Sequence, residues 1–245
     1  GDHRVLHLSI RRQRQMCIRD RPHTIRTGEP AFDEAFGATF FDHLATHPKA
    51  NASFDAAMEI FAAPENAVIA AAYDFGQFAR IVDVGGGTGG LIEAILSAHK
   101  GVHGVLFDQS QVVANMAGGK EPTVRKRCEL AGGDFFESVP KGADAYVMKR
   151  ILHDWDDQAA ICLLTRCREA MNSDGRVLVI DAVMRAGNAP DPNKLMDISI
   201  MALTRGRERT EAEFQELFLA AGLRCIKILP TELPSTLSII EGIQI

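Results

Sequence analysis

The sequence predicts one large α/β domain built on a mostly parallel sheet. Short β-branched runs alternate with amphipathic stretches from about residue 80 onward, which is the pattern of strands joined by crossover helices. A glycine run follows the first of these strands directly. The length of 245 residues is enough for one such domain with a substantial core.

The composition is that of an ordinary globular protein, with 46% hydrophobic and 24% charged residues. No stretch approaches the roughly 20 apolar residues that a membrane span requires. The net charge of −5 and the pI near 5.9 argue against a nucleic-acid partner, which would leave a basic footprint. Five cysteines without a CxxC pair argue against a disulfide framework or a zinc site. We therefore expect a cytoplasmic protein without a metal, a nucleic-acid partner or a membrane anchor.

Residues 1–21 differ from the rest of the chain. They hold six arginines and two acids and follow neither a helical nor a strand period. They lack the apolar region of a signal peptide, although a basic arm or a transit peptide is an alternative interpretation. The run resembles a translated sequencing adapter, so we expect residues 1–21 to be a non-native, disordered leader outside the fold.

Residues 22–79 are predicted to be helical. We expect them to form a linker whose helices lie on the substrate side of the domain. Phe32, Phe36 and Phe40 recur at helical spacing, and Pro48 marks a break.

Residues 80–245 predict the α/β domain itself. Strands are expected near 81–84, 104–107, 128–131, 144–148, 176–182, 224–229 and 236–241. Helices are expected near 88–99, 110–116, 157–172 and 210–221. The last helix begins with a capping box, Thr210 and Glu213, and Gly222 is placed to end it.

The glycine run indicates a ligand-binding loop between the first strand and its helix. Asp83 lies inside the strand, and Gly85, Gly87 and Gly89 follow at alternate positions. Glycines let backbone N–H groups approach a ligand, and the helix N-terminus adds a positive dipole end. The signal is weak alone, because nicotinamide enzymes use a similar loop. Asp108 ends the second strand, where it could accept hydrogen bonds from ribose hydroxyls.

A third acid, Asp134, follows the third strand and precedes Phe135. A carboxylate beside an aromatic ring suits an adenine. The carboxylate can accept a hydrogen bond from the exocyclic amine, and the aromatic ring can pack on the plane of the base. The alternative role for Asp134 is a turn or helix cap.

His153 follows the fourth strand, at the sheet edge where ligands of such folds bind. Its ring can be neutral near pH 7 and accept a proton, which suits a general base. A structural histidine is the alternative, and a metal ligand beside Asp154 or Asp157 is disfavoured because no second histidine lies at ligand spacing. Asp156 and Asp157 fit the N-cap and the first turn of the next helix. Trp155, the only tryptophan of the chain, fits a packing anchor when considered without the family.

Two further acids are placed at strand ends or loops on the same edge. Asp181 ends the fifth strand, and Glu208 lies in an arginine-rich loop. A base needs an acid that orients it and stabilises its imidazolium. For Glu208 the alternative is an ion pair with the flanking arginines.

Together these motifs resemble the plant and bacterial small-molecule O-methyltransferases, which include the caffeic acid and hydroxyindole enzymes. The matching stretches are residues 82–89, 133–136, 151–157 and 208–210. The resemblance covers residues 22–245. It implies a Rossmann-like class I methyltransferase fold, with seven strands, an antiparallel last strand and helices on both faces.

The resemblance also assigns site residues. It implies S-adenosylmethionine (SAM) as cofactor, bound by Asp83, Gly85, Gly87, Asp108, Asp134, Phe135 and Lys149. It implies His153 as base, flanked by Asp181 and Glu208, with Asp154 and Trp155 on the substrate side. The position of Asp181 usually holds glutamate, so the shorter side chain puts its contact with His153 in question.

The expected activity is methyl transfer to a hydroxyl of a small aromatic or polyketide-like metabolite in secondary metabolism. A nicotinamide-dependent oxidoreductase and a non-catalytic remnant are the alternatives, and an amine or carbon acceptor is open within the methyltransferase interpretation. The family also carries an N-terminal winged-helix dimerisation domain that this chain lacks. We therefore expect a truncated chain whose intact form is a homodimer.

Overall fold

The structure is a computed structural model that describes residues 21–114 and 122–245. The prediction of a disordered leader concerns residues 1–21; residues 1–20 lie outside the described ranges, and at Arg21 the structure has a helix instead. The described chain begins with a helix at Arg21.

A seven-stranded sheet organises the molecule. The strands in chain order are β1 Arg80–Val84, β2 His103–Asp108, β3 Cys128–Gly132, β4 Ala143–Lys149, β5 Met171–Asp181, β6 Val183–Met184, β7 Arg209–Thr210, β8 Leu223–Pro230 and β9 Ser238–Gln244. The large sheet has the order β3-β2-β1-β4-β5-β9-β8, and β6 and β7 form a separate parallel pair. β9 is antiparallel to both of its neighbours, while β1 to β5 run parallel. The predicted mostly parallel sheet with an antiparallel last strand is confirmed.

Ten α-helices lie in the described ranges. They are α1 Arg21–Thr27, α2 Ala31–Phe36, α3 Phe40–Thr46, α4 Pro48–Ala72, α5 Gly90–Ala98, α6 Ser110–Ala114, α7 Pro122–Arg125, α8 Asp157–Ala170, α9 Pro192–Leu203 and α10 Glu211–Ala220. Short 3₁₀ helices occur at Phe75–Gln77 and Leu152–Asp154. No helix in these ranges is long and apolar enough to cross a membrane.

Several predicted boundaries move by a few residues. The helix expected from residue 88 begins at Gly90, because the preceding glycines form the loop and Gly89 caps the helix. The helix expected to reach residue 172 ends at Ala170, because Met171 joins the sheet opposite Ala143. The capping box of Thr210 and Glu213 is present.

Two hydrophobic clusters cover the two faces of the sheet. Val82 and Tyr146 point to the face packed by α8 and α10, whereas Ile81 and Val147 point to the face packed by α4 and α5. Side chains alternate along a strand, so central strands covered on both faces must be apolar throughout. This packing brings the carboxyl ends of β1, β2, β4 and β5 to one edge of the sheet.

The helices that precede the sheet carry exposed apolar side chains. The large ones on α1 to α4 are Ile25, Phe36, Met58, Ile60 and Phe61. The long helix α4 contributes Ile69 and Ala70 to the core. Its middle crosses the carboxyl edge of the sheet, where it contacts the ends of β4 and the start of α5.

Candidate active site

The glycine loop is shaped by close packing beneath it and open space above it. Gly85 has φ +67, and a Cβ atom there would lie 2.5 Å from Cδ1 of Ile151. Gly87 has φ +54, and a Cβ atom there would meet nothing within 4 Å. The left-handed backbone at both positions and the lack of space for a side chain at Gly85 favour glycine. The loop at Gly87 therefore borders an open space, here called the cradle. The N–H groups of Gly85, Gly86 and Gly89 donate to backbone carbonyls within the protein.

Two acids lie against this loop. Oδ2 of Asp108 accepts a hydrogen bond from the N–H of Gly87 at 2.8 Å, and Oδ1 accepts one from Gln109 at 2.7 Å. Burial raises the pKa of Asp108. Asp83 is buried under the loop, since a Cβ atom on Gly86 would lie 2.7 Å from its Oδ2.

Asp134 lies on the same edge but its carboxylate has a structural partner. Oδ1 of Asp134 accepts a hydrogen bond from the N–H of Phe136 at 2.8 Å, which is the turn-capping role that we considered as the alternative. A Cβ atom on Gly85 would lie 3.7 Å from the ring of Phe135, so that ring borders the glycine loop. The contact of Asp134 and Phe135 with adenine stays a prediction.

Trp155 belongs to an aromatic cluster formed by Phe41, Phe135, Phe136 and Trp155. The indole stacks on Phe41, with centroids 5.7 Å apart and planes at 20°. It meets Phe136 edge-on at 4.7 Å and Phe135 at 5.9 Å. The cluster joins α3 to the wall of the cradle, so Trp155 is a packing anchor whose contact with substrate stays a prediction.

Lys149 ends β4 and turns its side chain toward α4. Its Nζ lies 3.0 Å from Oε2 of Glu65, 2.7 Å from Oδ1 of Asn66 and 3.3 Å from the carbonyl of Ala62. An ammonium has three N–H donors, and these contacts account for all three. Burial lowers the pKa of Lys149. A direct contact between Lys149 and the cofactor therefore stays a prediction.

His153 lies in the 3₁₀ helix after β4 and is buried, with 6% of its surface exposed. Its Nδ1 is 3.0 Å from Oε1 of Glu208, whose side chain is fully buried. Its Nε2 is 3.9 Å from Oδ1 of Asp154, beyond hydrogen-bonding distance. The predicted pairing of the histidine with an orienting acid is present for Glu208.

The charges around His153 govern its proton affinity. Burial lowers its pKa, but the carboxylates of Asp154, Glu208 and Asp181 more than offset burial and raise the pKa to about 9. The same burial raises the pKa of Asp154 to about 6 and that of Asp181 to about 7. The imidazolium is thus the favoured form of His153 in the ligand-free site at neutral pH.

Asp181 lies at the expected strand end but makes no hydrogen bond to His153. It is fully buried, and neither carboxylate oxygen has a hydrogen-bond partner among residues 21–114 and 122–245. It acts on the histidine by its charge. The structure therefore brings Glu208, and not Asp181, into contact with the ring.

The loop that carries Glu208 is held against the histidine turn. The N–H of Glu208 donates to Oδ1 of Asp197 at 2.9 Å. The buried guanidinium of Arg209 donates to the carbonyls of Leu152 and Trp155, both at 2.7 Å. Gly206 packs so closely that a Cβ atom would overlap the carbonyl oxygen of His153. Glu208 and the histidine turn therefore form one unit.

Several residues of this site escaped sequence reasoning. They are Glu65, Asn66, Arg150, Asp197, Gly206 and Arg209. Helical periodicity indicated only that 65 and 66 lie in a helix, and it carries no information about contacts across 85 residues of chain. The adjacent cations Lys149, which ends β4, and Arg150, which follows it, were the one local signal, because two adjacent charges at a buried strand end need partners.

The open cradle suits a nucleoside-containing cofactor. The carboxylate of Asp108 lies against Gly87 and the ring of Phe135 borders Gly85, and these groups match a ribose and a base. In the described residues no group of three or more His, Cys, Asp or Glu side chains is arranged to hold a metal ion.

Comparison with known proteins identifies the family. Residues 19–224 match the O-methyltransferase domain. The phenazine O-methyltransferase of Lysobacter antibioticus is 40% identical over 222 residues, which are 90% of this chain and 64% of that protein. The mitomycin biosynthesis 6-O-methyltransferase of Streptomyces lavendulae is 40% identical over 211 residues, 85% of this chain and 60% of that protein.

Solved structures agree with these sequence matches. The crystal structure of LaPhzM superposes with a TM-score of 0.88 at 38% identity, over 94% of this chain and 69% of that one. The neocarzinostatin-pathway O-methyltransferase NcsB1, in complex with SAM and 2-hydroxy-5-methyl naphthoic acid, has a TM-score of 0.85 at 36% identity, with coverage of 94% and 69%. The chain spans 60–64% of the length of the first curated relatives. The chain belongs to the O-methyltransferase domain family, a family of SAM-dependent methyltransferases.

Proposed function

We propose that this protein is a SAM-dependent O-methyltransferase that methylates a hydroxyl of a small aromatic or polyketide-like metabolite, with His153 as the general base. One observation carries the proposal. Nδ1 of His153 is bound by Glu208, so the basic nitrogen of the neutral ring is Nε2, at the carboxyl edge of the sheet beside the cradle.

Glu208 fixes the tautomer of His153. A buried carboxylate accepts an N–H, so Nδ1 carries the proton and Nε2 keeps its lone pair. When Nε2 takes the proton of a substrate hydroxyl, the ring becomes an imidazolium that Glu208 stabilises. Asp154 and, when ionised, Asp181 add negative charge near the ring without a hydrogen bond to it.

The base must be neutral before it acts. With its pKa raised to about 9, His153 holds a proton at pH 7 in the ligand-free site. A positive charge bound nearby lowers the pKa of a histidine, because it disfavours the imidazolium. We infer that occupation of the cradle by a cationic cofactor releases this proton and prepares His153.

The cofactor, when bound, supplies a methyl group on a positively charged sulfur. Asp83, Gly85 and Gly87 would border its amino-acid end, and Asp108 would accept from the ribose hydroxyls. The capping bond of Asp134 uses only Oδ1, so Oδ2 could accept from the adenine amine beside Phe135. Lys149 would affect the cofactor indirectly, through its hydrogen bond to Asn66, because residues of α4 accept the hydrogen bonds of its ammonium group.

The names of the relatives support an aromatic acceptor. Relatives are named for phenazine, mitomycin and a dihydroxy-methyl-naphthoate. Oδ1 of Asp154 lies 3.9 Å from Nε2 of His153. In this proposal Asp154 and Trp155 face the substrate, and the aromatic cluster around Trp155 supplies ring faces for stacking. An amine acceptor is the second candidate, because a relative 35% identical is named an 8-amino-8-demethylriboflavin N,N-dimethyltransferase, from Streptomyces davaonensis.

We also propose that the intact protein is a homodimer formed through a domain that precedes residue 22. The chain spans less than two thirds of its first curated relatives. Ile60 on α4 is 77% exposed and Ile25 on α1 is 71% exposed, and such apolar surface favours association.

A transfer assay tests the activity. The full-length gene product would be incubated with methyl-labelled SAM and a panel of matched phenols and aryl amines. We expect label in at least one weakly acidic phenol, at a rate that falls by roughly 10²–10⁴-fold when His153 is replaced by alanine. Label found only in the aryl amines would show that the acceptor is an amine and not a hydroxyl. The absence of transfer to any acceptor would overturn the proposal.

A further inference from the structure

Arg150 has an unusual backbone for its residue type. With φ +55 it is the only non-glycine residue at positive φ in the described ranges. A side chain in that region costs about 1–2 kcal/mol. The turn at Arg150 follows the last ladder bond of β4, in which the N–H of Arg150 donates to Ile180 at 3.0 Å. Three residues later the chain reaches His153, so this turn sets where the base lies.

The side chain of Arg150 is anchored on α4. Its Nη2 lies 2.7 Å from Oε1 of Glu65, and its Nε lies 3.4 Å from Oε2. Its guanidinium also lies 4.9 Å from the ring centroid of Phe61, one helical turn earlier. A two-point contact to a carboxylate fixes a guanidinium in orientation as well as position.

Glu65 serves the cofactor side as well. Its Oε2 lies 3.0 Å from Nζ of Lys149, which also binds Oδ1 of Asn66. The amide of Asn66 in turn packs on Gly90, the first residue of α5, where a Cβ atom would lie 2.6 Å from its Nδ2. One turn of α4 therefore contacts both the end of β4 and the helix that follows the glycine loop.

We propose that Glu65 is a positioning residue for catalysis, which holds Arg150 in its left-handed turn and so fixes His153 relative to the cofactor cradle. The inference rests on the proposed function of His153 as base. In this role the buried ion pair of Glu65 with Arg150 sets the reacting geometry and also joins α4 to the sheet.

The residue type at position 150 supports this role. Glycine would adopt the same φ without strain, but it has no side chain to reach Glu65. An arginine that bears the strain gains an anchor on α4, and the strain is offset by charge-assisted hydrogen bonds. Glu65 is 5% exposed, so loss of its charge would remove the one carboxylate that both Lys149 and Arg150 contact in the described residues.

Two variants test the proposal. Glu65→Gln keeps the size of the side chain and removes its charge, and Arg150→Gly keeps the turn and removes the anchor. The assay compares a weakly acidic phenol, which needs a base, with a phenol already ionised at the assay pH, which does not. For the first substrate we expect kcat to fall by about 10- to 100-fold, the range for a small misplacement of a reacting group. For the second we expect a change of no more than about twofold.

A matched control is available at the other end of the sheet. Glu241 on β9 is also a buried glutamate paired with an arginine, Arg176, at 3.3 Å. Glu241→Gln should leave kcat unchanged for both phenols. Calorimetry with S-adenosylhomocysteine and circular dichroism of each variant would show that the cradle and the fold are intact.

The results separate this inference from the proposed function. Equal losses on both phenols, or none on either, would mean that Glu65 has only a structural role. If His153→Ala keeps the parental kcat with the weakly acidic phenol, the proposed base is wrong. If His153→Ala loses that activity while Glu65→Gln and Arg150→Gly keep it, only the positioning role is overturned.

Discussion

Nδ1 of His153 lies 3.0 Å from Oε1 of Glu208, although 55 residues separate them in the chain. Both side chains are buried. The pair fixes which nitrogen of the ring can accept a proton, and it lies beside the cradle formed by the glycine loop. The orientation of the proposed base therefore depends on a contact between a 3₁₀ turn and a loop that only the folded chain brings together.

Replacement of His153 tests the base directly. His153→Ala should lower turnover by roughly 10²–10⁴-fold, the range for loss of a general base, and should leave the affinity for S-adenosylhomocysteine nearly unchanged. His153→Gln should be similarly impaired, because an amide cannot accept the proton near neutral pH. Glu208→Ala should cost less, since Glu208 orients the ring without taking the proton. Parental turnover of His153→Ala at pH 7 would exclude the assignment.

The pH dependence of kcat/KM follows from the raised pKa of His153. Only neutral imidazole accepts a proton, so the rate should rise with pH through the pKa of the ring. The surrounding carboxylates raise that pKa from 6.5 to about 9 in the ligand-free site. Initial rates at limiting cofactor should therefore keep rising well above pH 6.5. A plateau reached at or below pH 6.5 would mean that the carboxylates do not act on the ring as described.

Asp108 should contribute to cofactor affinity. Asp108→Ala removes a charged acceptor and its bond to Gly87, and hydrogen bonds to charged groups contribute about 1.5–3 kcal/mol. Calorimetry should show a Kd for S-adenosylhomocysteine that is raised by roughly 10- to 100-fold. Asp144 is the matched control, because it accepts two backbone N–H groups at the opposite edge of the sheet. If Asp108→Ala and the parent bind S-adenosylhomocysteine with equal affinity, Asp108 does not bind the ribose.

Asp181 should make stability depend on pH. Burial raises its folded pKa from 3.8 to about 7, so between these values the folded state binds more protons than the unfolded state. Stability contributed by the protonated form is therefore lost as pH rises through that window, by about 1.4 kcal/mol per unit of pKa shift. Asp181→Asn cannot ionise, and its Tm relative to the parent should be higher at pH 8 than at pH 4. A Tm difference that is constant with pH would indicate an unperturbed carboxyl.

The exposed apolar side chains of α1 to α4 should make the 245-residue chain associate. Sedimentation should reveal concentration-dependent, heterogeneous species, because uncovered apolar surface promotes nonspecific contact. Ile60→Lys, at a position 77% exposed, should reduce this association. A discrete and stable dimer of the 245-residue chain would contradict the proposed role of a preceding domain.

The sheet was predictable because its signals are local. Val82, Val84 and Tyr146 belong to buried runs whose strand type follows from composition alone, and the glycine loop follows β1 without a gap. Asp156 and Thr210 cap helices in the manner that their sequence context indicates. Such features depend on neighbours a few residues away.

The contacts of the site were less predictable because they are tertiary. Family resemblance named Asp181 and Glu208 as the acids beside His153, but only coordinates distinguish the hydrogen-bonded one from the one that acts by charge. Lys149 was expected beside the cofactor, and its amine is bound by α4. A left-handed Arg150 has no sequence signal, since φ > 0 is rare outside glycine.

The close contact between Gly206 and the carbonyl of His153 bears on how this enzyme could be engineered. Any side chain at 206 would push the Glu208 loop away from the histidine turn, so a saturation library at this position should be almost entirely inactive. Exposed Arg205 and Arg207 on either side have room for larger changes. A variant library of this loop should therefore keep position 206 fixed and place its diversity at positions 205 and 207.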